Sequence, residues 1–198
     1  MKKIPTIFKR TYENHKIKDT LPEVVNNLYD VLEKGIATIK WDGSCCAIIN
    51  GKFYKRYDAK NNKPIPKNAI KCQENPDPIT GHMPCWVPVD KDSPSDKWFI
   101  KAYEFSKENI EEEYLIDKNT LKDGTYEAVG KHFNGNPYKY DCDMLIPHGI
   151  DVISVGRTYD EIREFLKTNN IEGIVFWYNN EPKAKIKRTD FGFKWNSK

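Results

Sequence analysis

The chain has 198 residues and a net charge of +3, from 32 Lys+Arg against 29 Asp+Glu. That length fits one domain of ordinary size, and 38% hydrophobic with 13% aromatic residues excludes a disordered chain. No apolar run reaches the roughly 18–20 residues that span a bilayer.

Residues 20–35 read as a helix. Pro22 suits a first turn, Val24/Val25, Leu28 and Val31/Leu32 form an apolar stripe, and Gly35 can end it. Residues 36–41 read as a strand, Asp42-Gly43 as a turn, and residues 44–49 as a second strand. Asn50-Gly51 is a hairpin turn leading into a third strand over residues 52–57. Residues 58–97 are loop-like, with seven prolines between Pro64 and Pro94; a loop of that length in a compact domain is usually functional. Residues 98–105 read as a strand, 106–116 as an acidic helical stretch, and 125–130 as a strand after the Asp123-Gly124 turn. Thr158 and Glu161 form a capping box ahead of a short helix that buries Ile162, Phe165 and Leu166. A strand over residues 171–178, an Asn179-Asn180 turn and a strand over 183–188 close the pattern. The expectation is one antiparallel-rich α+β domain over residues 1–198.

The N-terminal apolar stretch is interrupted by Lys9, so a signal peptide is not expected. Five cysteines, with Cys45 and Cys46 adjacent, make a poor disulfide framework and point to a reducing, cytoplasmic compartment. The small net charge hides a segregation. Residues 1–18, 51–72 and 183–198 carry +5, +6 and +5, which leaves −13 on the remainder. Either these segments meet in the fold and form a surface that attracts polyanions, or they are three separate solvated faces.

Several chemical patterns fail on spacing. Gly124 to Lys131 has one residue too many between its glycines for a phosphate-binding loop, and His132 stands where Ser or Thr is required. Cys72, His82 and Cys85 lack the paired spacing of a zinc site. His132 and His148 read as surface or packing residues.

Lys40-Trp41-Asp42-Gly43 is more informative. A lysine attacks only as the free amine, so burial or neighbouring cations must lower its pKa; the alternative is an edge lysine facing water beside a turn. Lys185 and Lys187 are two apart on a strand and share a face. Two adjacent ammonium groups are costly unless an anion, such as a triphosphate, lies between them. Lys183 and Lys185 have the same spacing. Glu172 opens an apolar strand, Glu127 lies within another, and Arg56 sits on the strand after the Asn50-Gly51 turn.

In that order these residues resemble the nucleotidyltransferase motifs of ATP-dependent RNA ligases in the covalent nucleotidyltransferase superfamily. The similarity is strongest to the compact RNA ligases of bacteria, their viruses and vertebrates. Two further stretches, residues 75–89 and 135–149, resemble that subgroup specifically. The resemblance implies a single nucleotidyltransferase domain of the ATP-grasp-like, DNA–RNA ligase adenylation kind. Antiparallel β-sheets flanked by short helices are expected, with no C-terminal oligonucleotide-binding barrel, because only residues 188–198 follow Lys187. That brevity argues against DNA ligases and capping enzymes; an RNA-binding module without catalysis is the other alternative.

By the same resemblance Lys40 is the nucleophile that becomes lysyl-AMP, and Lys185 and Lys187 are the catalytic cations. Glu127 serves the ribose, Arg56 the ribose or a phosphate, and Ile39 offers backbone contacts to adenine. Glu172, with Glu127, helps to hold Mg²⁺ or Mn²⁺. The implied partners are ATP and RNA with 5′-phosphate and 3′-hydroxyl ends, with no membrane and a monomeric chain. Arg56, Lys185 and Lys187 should converge on ATP, and the N-terminal basic segment should help hold the RNA backbone.

Overall fold

A computed structural model describes residues 1–195 apart from His15, Asn61, Asn62, Ile79, Lys118 and Asn119. Parts of the loop-like 58–97 stretch and of the basic C-terminal tail therefore lie outside the described residues. The chain begins with β1 (Phe8–Glu13), β2 (Lys16–Val24), α1 (Tyr29–Lys34) and β3 (Ile36–Lys40). It continues through β4 (Ser44–Ile49), β5 (Lys52–Ala59), β6 (Ile70–Lys71), β7 (Met83–Pro88) and α2 (Lys97–Asn109). Four short strands follow: β8 (Leu115–Asp117), β9 (Thr120–Leu121), β10 (Gly124–Val129) and β11 (Met144–Pro147). The last elements are α3 (Tyr159–Thr168), β12 (Gly173–Tyr178) and β13 (Glu181–Lys187). This is a mixed α+β structure with antiparallel sheets and few helices. No helix among the described residues is long and apolar enough to cross a membrane.

The chain divides into two compact units. The first comprises residues 1–3 and 42–148. It holds a six-stranded sheet in the order β11-β10-β4-β5-β7-β6, with β8 and β9 paired separately. Its core gathers Cys46, Ile48, Ala102, Leu121, Tyr126, Ala128, Phe133 and Leu145, with Phe53, Phe99 and Tyr103 packed on it.

The second unit comprises the described residues of 4–41 and 149–195. It holds the three-stranded sheet β13-β12-β3 and the β1-β2 ribbon. Ile7, Phe8, Val31, Leu32, Ala37, Ile162, Leu166, Ile174, Phe176, Ala184 and Ile186 form its core. The helix α3 buries Ile162 and Leu166, and its N-terminus carries the expected reciprocal Thr158–Glu161 bonds. Asn179 and Asn180 both adopt positive φ (52° and 59°) in the turn between β12 and β13, as a two-residue hairpin requires.

Three expectations are corrected. Residues 20–24 are strand, not helix, and pair with β1; Pro22 falls in the irregular stretch between the Phe8↔Val24 and Arg10↔Thr20 pairs, where a missing N–H is tolerated. Residues 98–105 lie in the helix α2, because Phe99, Ala102, Tyr103 and Ser106 recur at helical spacing, and packing overrides aromatic strand preference. Met83–Pro88 is a strand despite its two prolines. The Pro84 carbonyl accepts from Cys72 N–H at 2.8 Å, so the proline nitrogen faces β6 rather than the ladder with β5. In addition, Asp42-Gly43 does not join a hairpin: β3 and β4 belong to different sheets.

Candidate functional site

In the second unit β12 is the middle strand. Gly173 pairs with Lys40 on β3 at one side and with Lys187 on β13 at the other. Paired residues project from the same face, so the two lysines flank a position that has no side chain. The close approach demands glycine: a Cβ at Gly173 would lie 2.2 Å from the Ile186 carbonyl oxygen. Lys185 pairs with Val175, two residues along the same face.

Glu172, directly before β12, is 4% exposed. Its Oε2 meets Lys40 Nζ at 2.5 Å, and its Oε1 meets Lys187 Nζ at 2.5 Å. Its backbone is fixed as well, since its carbonyl accepts from Arg188 N–H at 2.8 Å. Two ammonium groups thus share one carboxylate, with Lys185 on the same face, and the cluster carries surplus positive charge. The Lys185 pKa is lowered to about 8 by burial, then by the charges of Lys40, Lys187 and Arg10, with Glu172 opposing. Such a face favours an anion with several charges, because an anion would relieve both the repulsion and the desolvation.

Arg10 was not singled out by the sequence. It reaches buried Asp190 at 2.6 Å, and Asp190 Oδ2 accepts the Lys187 N–H at 2.8 Å. Thr20 Oγ1 donates to the Asp190 carbonyl at 2.7 Å. The contact spans most of the chain length, so no local pattern marks it. Other described cations of the N-terminal segment also meet carboxylates: Lys9 pairs with Glu23 at 2.8 Å and Lys18 with Glu13 at 3.4 Å. Ile39 pairs with Ile174, on the face opposite Lys40, and its N–H donates to the Asp151 carbonyl at 3.0 Å.

The first unit holds the remaining predicted residues. Glu127 on β10 accepts the Gly43 N–H at 3.0 Å through Oε1. Its Oε2 lies 3.0 Å from His148 Nε2, and His148 Nδ1 lies 3.0 Å from Thr125 Oγ1. Gly43 is fixed by crowding, since a Cβ there would lie 2.1 Å from the Ala128 carbonyl oxygen. Asp42 is buried, receives Asn134 Nδ2, and donates its N–H to Tyr138 Oη at 2.6 Å. Arg56 is held by Asp58 and by the Met1 carbonyl, both at 2.7 Å, with its guanidinium 6.0 Å from the Trp86 ring centroid.

His132 packs on an aromatic ring, whereas His148 does more than fill space. His148 belongs to the Glu127 network. His132 stacks on Trp98 with ring centroids 3.3 Å apart and bonds Asp143 through Nδ1 at 2.7 Å. The second unit therefore brings together Lys40, Glu172, Lys185 and Lys187, whereas Arg56 and Glu127 belong to the first.

Residues 60–198 match the family model described as RNA ligase 1. Glu127, Glu172, Lys185 and Lys187 fall inside the matched segment, and Lys40 and Arg56 precede it. The chain is similar to RNA ligase 1 of Rattus norvegicus, at 27% identity over 221 residues, covering 81% of this chain and 68% of the relative. RNA ligase 1 of Pongo abelii is 28% identical over 224 residues with the same two coverages. That of Danio rerio is 26% identical over 224 residues, covering 80% and 68%. With well over half of its length matched, the chain belongs to the RNA ligase 1 family.

Proposed function

We propose that this chain is an ATP-dependent RNA ligase that adenylylates itself on Lys40. The AMP then passes to an RNA 5′-phosphate, and an RNA 3′-hydroxyl displaces it to form the phosphodiester bond. The observation that carries this reading is the bridge made by buried Glu172 between Lys40 and Lys187 across Gly173, with Lys185 on the same face.

In the first step Lys40 Nζ attacks the α-phosphorus of ATP, and the bond to the departing pyrophosphate breaks. The amine must first lose its proton. While Glu172 holds Lys40 as an ion pair the nitrogen has no free electron pair, so leaving that pair is part of activation. The ammonium groups of Lys185 and Lys187 face the negative charge that develops on the phosphate. A ligand-free cluster of this kind repels itself; ATP, with its phosphates among the lysines, removes that repulsion.

The donor chemistry suits an oxygen-seeking divalent ion, since Glu172 is a buried carboxylate and Mg²⁺ takes few protein ligands and keeps several waters. Glu172 would help to hold Mg²⁺ or Mn²⁺, which when bound would supply positive charge for the phosphate chemistry. Arg56 and Glu127 are proposed to serve the ribose and phosphates, and Ile39 the adenine edge.

The test is incubation with Mg²⁺ and ATP labelled at the α-phosphate, followed by denaturing electrophoresis. Covalent label that disappears in Lys40→Ala is expected; no label, or label that persists in Lys40→Ala, overturns the mechanism. Offering 5′-phosphorylated RNA and DNA strands in parallel checks the substrate, and a preference for DNA ends would overturn the RNA assignment. A chain that binds RNA yet stays unlabelled would be a binding module.

A further inference from the structure

We propose that Cys45, Glu127 and His148 form a binding site for one divalent transition-metal ion of the zinc class, held through Sγ, a carboxylate oxygen and Nε2. The three donor atoms lie within 4.8 Å of one another. The sheet itself sets this. Cys45 on β4 pairs directly with Glu127 on β10, so their side chains share a face. Glu127 also pairs with Ile146 on β11, and His148 follows two residues later, restoring the same orientation. The His148 N–H donates to the Thr125 carbonyl at 3.0 Å, which anchors the residue past the strand end.

The surrounding bonds are those a metal site uses to orient its ligands. Gly43 N–H occupies Glu127 Oε1 at 3.0 Å, leaving Oε2 toward the imidazole. Thr125 Oγ1 lies 3.0 Å from Nδ1, and a hydroxyl can donate or accept. Without metal, the hydroxyl donates to Nδ1 while Nε2–H donates to Glu127. With metal, the imidazole proton sits on Nδ1 and is donated to Thr125, and the Nε2 lone pair faces the ion. In both states each imidazole nitrogen of His148 keeps a partner.

One sulfur, one nitrogen and one oxygen ligand form a borderline-soft set. It suits Zn²⁺ or Co²⁺ with a water in the fourth position, and it does not suit Mg²⁺. Burial, then the Glu127 carboxylate, pushes the Cys45 thiol up to about 12. A bound cation reverses that preference, and binding releases the thiol proton to solvent. Arg56, whose charge favours thiolate over thiol, is itself paired with Asp58.

If Glu127 serves the nucleotide, as proposed above, then metal occupancy withdraws it. Zn²⁺ should then suppress Lys40 labelling in the presence of excess Mg²⁺. The binding claim itself does not depend on that reading.

The experiment titrates the full chain under reducing conditions with Co²⁺. One equivalent should produce a near-ultraviolet thiolate-to-cobalt band and tetrahedral visible bands, both removed by Zn²⁺. The near-ultraviolet band should vanish in Cys45→Ser and persist in Cys72→Ser. Zn²⁺ affinity, measured by competition with a chromophoric chelator, should fall at least tenfold in His148→Asn, which covers the case in which Cys45→Ser fails to fold. No thiolate band, a band that survives Cys45→Ser, or unchanged affinity in His148→Asn would overturn the site. Absence of Lys40 labelling in protein freed of Zn²⁺ and supplied with Mg²⁺ and ATP would speak against the ligase reading alone.

Discussion

Lys185 occupies a place where an ammonium is hard to keep. Its pKa, lowered to about 8, means that the folded chain holds this proton less tightly than the unfolded chain, whose lysines titrate near 10.4. Stability should therefore rise as pH climbs from about 8 toward that value, because over this window the unfolded state binds more protons. A bound polyphosphate has the opposite preference, since it needs the charge. Affinity for a non-hydrolysable ATP analogue should fall above pH of about 8, approaching tenfold per unit for a single linked proton. Lys185→Met should flatten that slope and, at pH 7, stabilise the unliganded fold. Calorimetric titration between pH 7 and 9.5 reads the first effect; a slope that persists in Lys185→Met would assign the proton elsewhere.

Among the elements, β12 makes the site possible, because it brings β3 and β13 to either side of Gly173. Gly173→Ala would drive a methyl group into the Ile186 carbonyl. It should cost about 1–3 kcal/mol and abolish Lys40 labelling, as read by denaturant midpoint and covalent AMP; an unchanged midpoint would refute the crowding argument. Thr158→Ala removes the capping box of α3 and should cost about 1 kcal/mol while leaving labelling intact. Much of this architecture is legible in the sequence. The Asn50-Gly51 hairpin announces itself by turn chemistry, the strand of Gly173 by its continuous apolar run, and Lys40, Glu172, Lys185 and Lys187 by motif order. What the sequence conceals depends on partners distant along the chain. Residues 98–105 carry strand-forming aromatics, yet Phe99 and Tyr103 pack in a helical register. The prolines of β7 read as breakers because the side of the strand they face is set only by pairing. Arg10 is invisible until Asp190 is beside it.

For the molecule as a whole, the small net charge conceals local pairing as well as segregation. Arg10 is tied to buried Asp190 and through it to Lys187, whereas Lys9 and Lys18 pair only with exposed glutamates. Neutralising Lys9 and Lys18 together should weaken RNA joining, and its salt dependence, while sparing Lys40 labelling. Arg10→Gln should lower both steps, because it leaves a buried carboxylate uncompensated. Equal loss of both steps in the Lys9/Lys18 variant would remove the proposed RNA contact. The second unit is also assembled from two stretches, residues 4–41 and 149–195, with residues 42–148 of the first unit between them in the chain. During synthesis the strand bearing Lys40 leaves the ribosome early and lacks its sheet until Gly173–Tyr178 has been made. A product that stops short of β12 would contain Lys40, the proposed nucleophile, but neither Glu172 nor the Lys185–Lys187 pair. Self-adenylylation, if it proceeds on Lys40 as proposed, would then require chains in which β12 and β13 have already been made.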